Sequence, residues 1–253
     1  MKPRPTAAIV GLGLIGGSLA RSLTRAGWRV IGVDRASVRR RAVAERAVAA
    51  TARTPEAAAS RAHVVILAAH PGANLRLLRR LAKLRPSPVI TDVGSVKGPI
   101  CREAARLGLS SFVGGHPMAG AERSGFGAAS VDLFVGRPWI VTGGAPASLR
   151  AVRSLVRAAG ARPVRMTAEE HDRAVAFLSH APQVASWAIL EVALRDPVAR
   201  RHLRIAGPGF RDMTRLAASP RHLWREILAQ NRSEVRRALA ALRRGLGRPT
   251  TGR

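Results

Sequence analysis

The sequence predicts an α/β fold: a doubly wound parallel sheet followed by an all-helical part. Three observations predict it. A glycine pattern, G-x-G-x-x-G, separates the first apolar run from the first helical pattern. Short apolar runs then alternate with helical patterns up to about residue 166, as in parallel strands joined by helices. From residue 167 onward, only helical periodicity remains.

The first predicted strand and the first predicted helix are joined by a nucleotide-binding turn. The apolar run AAIV (7–10) ends at Gly11, and Gly13 and Gly16 complete the glycine pattern before a helical stretch. Gly11 permits a tight turn, Gly13 lets the backbone approach a pyrophosphate, and Gly16 lets the helix pack on the strand. This context is typical of a Rossmann domain, with phosphates at the helix N-terminus. The expected cofactor contacts are Gly11, Leu12, Gly13, Leu14, Ile15 and Gly16.

The second predicted strand, RVIGV (29–33), is followed by an acidic residue, Asp34. A carboxylate about 20 residues after the glycine turn accepts hydrogen bonds from the adenosine ribose and repels a 2′-phosphate. The cofactor is therefore expected to be NAD rather than NADP. Arg35 is expected to stack on the adenine and completes the cofactor contacts. A glycine turn in some other α/β protein is the alternative interpretation.

The remaining elements of the first domain continue the alternation. Strands are predicted at 63–69, 88–93 and 110–115, helices at 72–84 and 97–107, and a closing strand–helix–strand unit at 137–144, 146–159 and 161–166. Ligands bind at the carboxyl ends of the strands in such sheets. His116 lies in a predicted turn at that edge, GHPMAG (115–120), so we expect it beside the nicotinamide. This domain is predicted to span 1–166.

The second predicted domain, 167–245, is helical and is followed by a flexible tail, 246–253. Thr167 and Glu170 form a capping-box pattern at its start. Pro182 is expected to kink the next helix or restart it. These helices are too few to enclose a core alone, so we expect them to pack against a second copy as a homodimer.

The composition excludes several classes of protein. Net charge is +28, but only three of the 43 Lys and Arg residues are lysine, and the arginines are scattered along the chain. There is no tyrosine for base stacking, so we expect no specific nucleic-acid partner, only non-specific binding to polyanions. A single cysteine, Cys101, excludes a disulfide framework. No membrane span or secretory signal is expected, which predicts a cytoplasmic protein.

Five stretches of the sequence together carry a family resemblance. They are IVGLGLIGGSLARSL, ITDVGSVKGPI, GGHPMAGAERSGF, EHDRAVAFLSHAP and GFRDMTRLAASPRHLWREI, and they extend over about residues 7–243. In this order they resemble the prephenate (or arogenate) dehydrogenases of tyrosine biosynthesis. The resemblance implies an NAD-binding Rossmann domain, a helical dimerisation domain, and oxidative decarboxylation of prephenate to 4-hydroxyphenylpyruvate.

The resemblance also implies roles for individual residues. His116 matches the catalytic histidine, and an imidazole with an ordinary pKa of about 6.5 suits a base that accepts the 4-hydroxyl proton. Ser95 matches a serine that contacts this histidine and the nicotinamide; capping the helix at 97–107 is its alternative role. Arg215 matches the arginine that grips the substrate's side-chain carboxylate. Glu122 and Ser124 are expected to line the substrate pocket.

Two departures from the family pattern bear on the substrate. His180 is retained, but Gln183 stands where many members have a second histidine; both are expected to contact substrate. The choice between prephenate and arogenate therefore stays open, and an arogenate or dual-substrate (cyclohexadienyl) dehydrogenase is the alternative. His70 is also unusual, and we expect it beside the cofactor rather than on a metal, since ligand spacing is absent.

Two functions from other classes fit the sequence less well. A β-hydroxyacid dehydrogenase would use a lysine in its helical half, and no lysine follows Lys97. A dinucleotide-sensing binding protein would not need His116, Ser95 and Arg215 together.

Overall fold

The computed structural model describes residues 4–120 and 123–247. The chain divides into two compact units, Met1–His171 and Asp172–Arg253. The division lies inside a helix, Ala168–Val175, that begins close to the predicted domain limit at residue 166.

The first unit is built on one eight-stranded sheet of order β3-β2-β1-β4-β5-β6-β7-β8. The first six strands are mutually parallel, which confirms the predicted α/β class. The strands are β1 (Thr6–Val10), β2 (Arg29–Val33), β3 (Ala50–Thr51), β4 (Val64–Leu67), β5 (Val89–Asp92), β6 (Phe112–Pro117), β7 (Pro138–Thr142) and β8 (Arg162–Arg165).

Helices cover both faces of this sheet. They are α1 (Leu14–Arg25), α2 (Ala36–Ala44), α3 (Pro55–Ala59), α4 (Pro71–Leu81), α5 (Gly98–Arg106) and α6 (Pro146–Ala158). Successive strand residues point to opposite faces, so Ile9 belongs to one apolar cluster and Val10 to another. The first cluster includes side chains of α1 and α6, and the second includes side chains of α3, α4 and α5. The core therefore lies in two layers, which explains why β4 and the four residues of β1 after Thr6 are uninterrupted apolar runs.

The direction of β7 differs from the all-parallel prediction. β7 pairs with β6 in antiparallel register, from Gly114 opposite Thr142 to Pro117 opposite Trp139. β8 is parallel to β7, as the predicted strand–helix–strand unit requires. A parallel neighbour of β6 would need a crossover, usually a helix. Within 118–120 and 123–137 the structure describes only a short 3₁₀ turn, Phe126–Ala128, so the chain returns directly and the prediction was wrong here.

The position of His116 also differs from the prediction. β6 extends to Pro117, so His116 lies in a strand, not in a turn. The turn predicted at 115–120 rested on its glycines and proline, but Gly115, like Gly114 before it, is a close-packing position within the strand. A Cβ on Gly114 would lie 2.4 Å from Thr142 Oγ1, and one on Gly115 would lie 2.4 Å from the Asp92 carbonyl oxygen. The neighbouring strands leave room only for glycine.

The helical part begins as predicted. Thr167 and Glu170 form the capping box: the Thr167 N–H donates to Glu170 Oε2 (2.8 Å), and the Glu170 N–H donates to Thr167 Oγ1 (3.1 Å). A π-helical turn, Ala176–His180, precedes the next helix, and Pro182 lies in the first turn of that helix, so the predicted restart is confirmed. The helices are α7 (Ala168–Val175), α8 (Ala181–Arg195), α9 (Pro197–Arg201), α10 (Pro208–Thr214), α11 (Arg221–Gln230) and α12 (Arg232–Leu246).

The second unit has a small core of its own, formed by Ala176, Ala181 and Ala238. Large apolar side chains are exposed on the single chain, among them Leu178 (78%) and Ile205 (79%). Of the predicted tail, Leu246 still belongs to α12, and 248–253 lie outside the described residues.

Candidate active site

The glycine turn between β1 and α1 has the geometry that a dinucleotide site needs. Gly11 has φ +99°, and a Cβ there would lie 2.5 Å from the Ala68 carbonyl oxygen. A Cβ on Gly16 would lie 1.9 Å from the Gly11 carbonyl oxygen. By contrast, no atom lies within 4 Å of a Cβ on Gly13, which also precedes α1 without a side-chain cap. The fold therefore requires glycine at positions 11 and 16, whereas Gly13 borders open space at a helix N-terminus.

Asp34 follows β2 and is tied to this turn. Its Oδ2 accepts from the Leu12 N–H (2.7 Å), and its Oδ1 accepts from the Arg35 N–H (2.6 Å). Leu12 is fully buried, so only its backbone belongs to the turn. Leu14 and Ile15 are half-buried, and the Arg35 side chain is 85% exposed. A fixed carboxylate beside an open glycine turn fits the adenosine end of NAD.

A buried ion pair organises the carboxyl ends of β5 and β6. Lys97 Nζ forms an ion pair with Asp92 Oδ2, and the two side chains are 0% and 1% exposed. Lys97 Nζ also donates to the Gly115 carbonyl oxygen (2.7 Å), while the Gly115 N–H donates to Asp92 Oδ1 (3.0 Å). The Gly94 N–H donates to Asp92 Oδ2 (2.9 Å). The pair thus connects the loop that holds Ser95 to the residue before His116.

This ion pair connects the ends of β5 and β6 beyond the last residues that pair through the backbone. β5 and β6 pair only at Ile90 with Phe112 and at Thr91 with Val113. Beyond these pairs, the N–H and carbonyl groups of Gly115 bond to the side chains of Asp92 and Lys97 instead of to strand backbone. The two strand ends are therefore held together through side chains.

Ser95 is half-buried in the loop between β5 and α5. The residue at the N-cap of α5 is Lys97, and no side chain caps this helix, so the alternative role of Ser95 as a helix cap is wrong. Its predicted contact with the histidine and the nicotinamide stays a prediction.

His116 is almost buried, with 9% of its surface exposed, and it contacts a second histidine. His116 Nδ1 lies 2.8 Å from Nε2 of His171, which is fully buried on α7. The two rings meet edge to face, with centroids 5.0 Å apart. One ring nitrogen of His116 is therefore engaged inside the protein.

The segment after β6 contains the other predicted pocket residues. Ser124 is exposed, and Glu122 lies outside the described residues. The chain that follows is anchored on α1: the Ser130 N–H donates to Ser18 Oγ (2.9 Å), and Ser22 Oγ donates to the Val131 carbonyl oxygen (2.7 Å). His70 is exposed immediately before α4, at the same sheet edge.

In the second unit, Arg215 is exposed and begins a 3₁₀ turn, Arg215–Ala218. Two side chains of α8 bind this turn. Gln183 Nε2 donates to the Leu216 carbonyl oxygen (2.7 Å), and Trp187 Nε1 donates to the Ala217 carbonyl oxygen (3.3 Å). The turn that presents the Arg215 guanidinium is therefore fixed on α8.

His180 and Gln183, both predicted to contact substrate, are each 1% exposed in the single chain. His180 Nδ1 lies 3.3 Å from Asn231 Nδ2, and its ring meets Trp224 edge to face. Gln183 supports the backbone next to Arg215, as described above. Their contacts with substrate stay predictions.

Sequence reasoning missed the functional neighbours of His116. It did not predict the ion pair of Lys97 with Asp92, and it assigned His171 no role. An acidic residue at the end of a buried strand, with a lysine five positions later, was the available signal for the ion pair. Nothing in the local pattern of α7 distinguishes His171, because its partner is 55 positions away.

Across 4–120 and 123–247, no group of three or more His, Cys, Asp or Glu side chains has the arrangement of a metal site. Within the same ranges, no helix has the length and apolar character needed to cross a bilayer.

Comparison with known proteins identifies two family domains. Residues 19–165 match the model of the prephenate dehydrogenase nucleotide-binding domain, and residues 167–248 match that of the prephenate dehydrogenase dimerization domain. A prephenate dehydrogenase of Bacillus subtilis is 34% identical over 251 residues, covering 92% of this chain. The chain spans 66% of that relative and 64% of one from Lactococcus lactis, just under two thirds of each.

Solved structures are also similar to this chain over most of its length. The prephenate dehydrogenase of Aquifex aeolicus in complex with hydroxyphenyl propionate and NAD⁺ is similar with a TM-score of 0.88 and 27% identity, over 96% of this chain and 88% of that one. The arogenate dehydrogenase of Synechocystis is similar with a TM-score of 0.83 and 31% identity, over 95% and 89%.

Proposed function

The chain belongs to the prephenate dehydrogenase family, and on that premise we propose that it is an NAD-dependent oxidoreductase that converts prephenate to 4-hydroxyphenylpyruvate by oxidative decarboxylation. The observation that carries the proposal is the setting of His116. It lies at the carboxyl end of β6, with one ring nitrogen engaged and the preceding residue clamped by a buried ion pair. A base held in this way is oriented before substrate arrives.

The glycine turn and Asp34 would hold the cofactor. Open space at Gly13, an uncapped helix N-terminus and a fixed carboxylate fit a pyrophosphate and an unmodified ribose. When bound, NAD⁺ accepts the hydride that leaves the ring carbon carrying the 4-hydroxyl. Asp34 would disfavour a 2′-phosphate, which supports NAD over NADP.

The side chains of the chain supply the remaining chemistry. His116 accepts the proton of the 4-hydroxyl group as the C–H bond breaks. The ring carboxylate then departs as CO₂, and its C–C electron pair passes through the ring to the 4-oxygen, which takes the proton back from His116 as the ring becomes aromatic. Arg215 would bind the side-chain carboxylate of the substrate, since a guanidinium can grip a carboxylate through two N–H groups.

An arogenate or dual-substrate activity is the second candidate. It is supported by the similarity to an arogenate dehydrogenase at 31% identity and by Gln183 standing where a histidine is typical of the family. The two candidates share the mechanism and differ only at the substrate's side chain.

The assembly we propose is a homodimer formed through residues 172–247. The match to a dimerization domain and the exposed apolar side chains of this unit support it. Light scattering after size exclusion is expected to give twice the chain mass of 26.9 kDa. A monomer at micromolar concentration would contradict the proposal.

The test of the activity is NADH formation by the purified protein with prephenate and with arogenate in parallel. His116→Gln is expected to lower kcat by about 10²- to 10⁴-fold, the usual contribution of a general base. His202→Gln, a substitution at an exposed histidine, is the matched control and is expected to leave the rate unchanged. No NADH from either substrate, or a His116→Gln variant with the wild-type rate, would overturn the proposal.

A further inference from the structure

The hydrogen bond between His116 and His171 contains one proton, and the position of this proton decides whether His116 can act as a base. His116 Nδ1 and His171 Nε2 are 2.8 Å apart, which is a hydrogen bond between two ring nitrogens. A neutral imidazole donates through one nitrogen and accepts through the other. Exactly one of these two facing nitrogens therefore carries the proton, and there are two arrangements to compare.

In the first arrangement, His171 Nε2 carries the proton and donates it to His116 Nδ1. The neutral His116 ring then has its own proton on Nε2 and its lone pair on Nδ1, where His171 occupies it. Such a ring cannot accept a proton from a substrate at Nε2. In the second arrangement, His116 Nδ1 donates to His171 Nε2, and the lone pair of His116 lies on Nε2. Only this second tautomer is a base toward substrate.

The fold fixes the position of His171 firmly. Strand residues His116, Ile140 and Val164 lie side by side across β6, β7 and β8. From β8 the chain enters α7, whose first turn is closed by the Thr167–Glu170 capping box, and the His171 N–H donates to the Thr167 carbonyl oxygen (3.0 Å). The ring of His171 is fully buried, so water does not compete for its Nε2.

We propose that His171 is a positioning residue that selects the reactive tautomer of His116, by accepting a hydrogen bond from Nδ1–H so that Nε2 carries the lone pair. This rests on the proposed function, in which His116 is the base. The same bond persists when His116 takes up the substrate proton, because Nδ1–H remains the donor and His171 Nε2 the acceptor. His171 thus has the orienting role that a third group plays behind a catalytic base.

The first test needs no substitution at position 171. In protein labelled with ¹⁵N at histidine, without substrate, the nitrogen shifts of His116 report which nitrogen carries the proton. His116→Gln identifies the signals by removing them. We expect a protonated Nδ1 and an unprotonated Nε2 at a pH where the ring is neutral. A protonated Nε2 in the wild-type protein would overturn the inference.

The second test compares two variants. His171→Leu removes the acceptor and is expected to move proton density from Nδ1 to Nε2 of His116, and to lower kcat about 10- to 100-fold with a smaller change in KM. His171→Gln keeps an acceptor oxygen and is expected to stay within about threefold of the wild-type kcat. A purely structural role would lower stability in both variants without moving the ¹⁵N shifts. Unchanged shifts and kcat in His171→Leu would therefore overturn the inference.

The two proposals fail in different ways. If His116→Gln abolishes turnover but wild-type His116 is protonated on Nε2, only the inference about His171 is wrong. If His116→Gln turns over normally, the proposed base is wrong whatever the tautomer. If His171→Leu does not fold, the wild-type shifts and the His171→Gln kinetics still decide.

Discussion

Replacing Lys97 by methionine tests the buried ion pair between β5 and β6. Methionine has similar length and no charge, so the change removes the cation while filling its volume. The Asp92 carboxylate keeps two N–H donors, from Gly94 and Gly115, but loses its counter-charge in a site that is 1% exposed. The Gly115 carbonyl oxygen also loses its bond to Lys97 Nζ.

The expected cost follows from these contacts. Removing one partner of a buried ion pair costs about 3–5 kcal/mol, because it leaves an uncompensated charge. For a unit the size of Met1–His171, each kcal/mol lowers Tm by about 2–4 °C, so we expect Tm to fall by about 6–20 °C. The value of kcat is expected to fall as well, because Gly115, the residue before His116, loses its hydrogen bond to Lys97.

The assay is thermal unfolding followed by circular dichroism, with two further variants. Lys83→Met makes the same chemical change at an exposed lysine and is expected to leave Tm within about 1 °C. The double variant Asp92→Asn/Lys97→Met removes the buried charge and keeps an acceptor for the Gly115 N–H, so it is expected to be more stable than Lys97→Met alone. A Tm for Lys97→Met within about 2 °C of wild type, or a double variant less stable than the single one, would refute the reasoning.

Three further predictions concern the cofactor, the substrate and the surface. Asp34→Asn keeps an acceptor for the Leu12 N–H but removes the charge, so the ratio of kcat/KM for NAD⁺ to that for NADP⁺ is expected to fall about tenfold or more; an unchanged ratio would count against Asp34 as the discriminating residue. Arg215→Lys keeps the charge but not the two-pronged grip, so KM for prephenate is expected to rise about tenfold, with Arg211→Lys, at an exposed neighbour, as the control; equal KM values in both variants would contradict the role of Arg215. Hydrogen bonds from Arg106 and Arg79 lower the pKa of Glu103 from 4.5 to about 2, so its contribution to stability is complete above about pH 4.5 and lost as pH falls toward 2; wild type and Glu103→Gln are expected to converge in Tm over that range, and a constant difference would contradict it.

Elements with strong local signals could be predicted from the sequence. β1, the glycine turn and α1 were predictable because sterics at Gly11 and Gly16 admit no side chain. The Thr167–Glu170 capping box and the restart at Pro182 were predictable because each depends on a few neighbouring residues.

Features that depend on distant residues were not predictable in this way. β3 has two residues, Ala50 and Thr51, too few for any periodicity. The reversal of β7 depends on the connection after β6, which forms no crossover helix within 118–120 and 123–137. The glycines and proline of the predicted turn 115–120 are typical of turns, although Gly115 to Pro117 belong to β6. The burial of Gln183 against the carbonyl oxygen of Leu216 depends on a contact across 33 positions. In the candidate site, the motif located His116, but only the three-dimensional structure revealed His171.

The reversed direction of β7 has a consequence for how this protein can change. Because β7 runs antiparallel to β6, the end of β6 and the start of β7 both lie at the rim of the sheet where His116 lies. Insertions or deletions in the connection between these two strands would change the protein surface at the rim beside His116 while every strand kept its neighbours. Under the proposed function, in which His116 is the base, variation in substrate choice could accumulate there without the cost of rebuilding the domain.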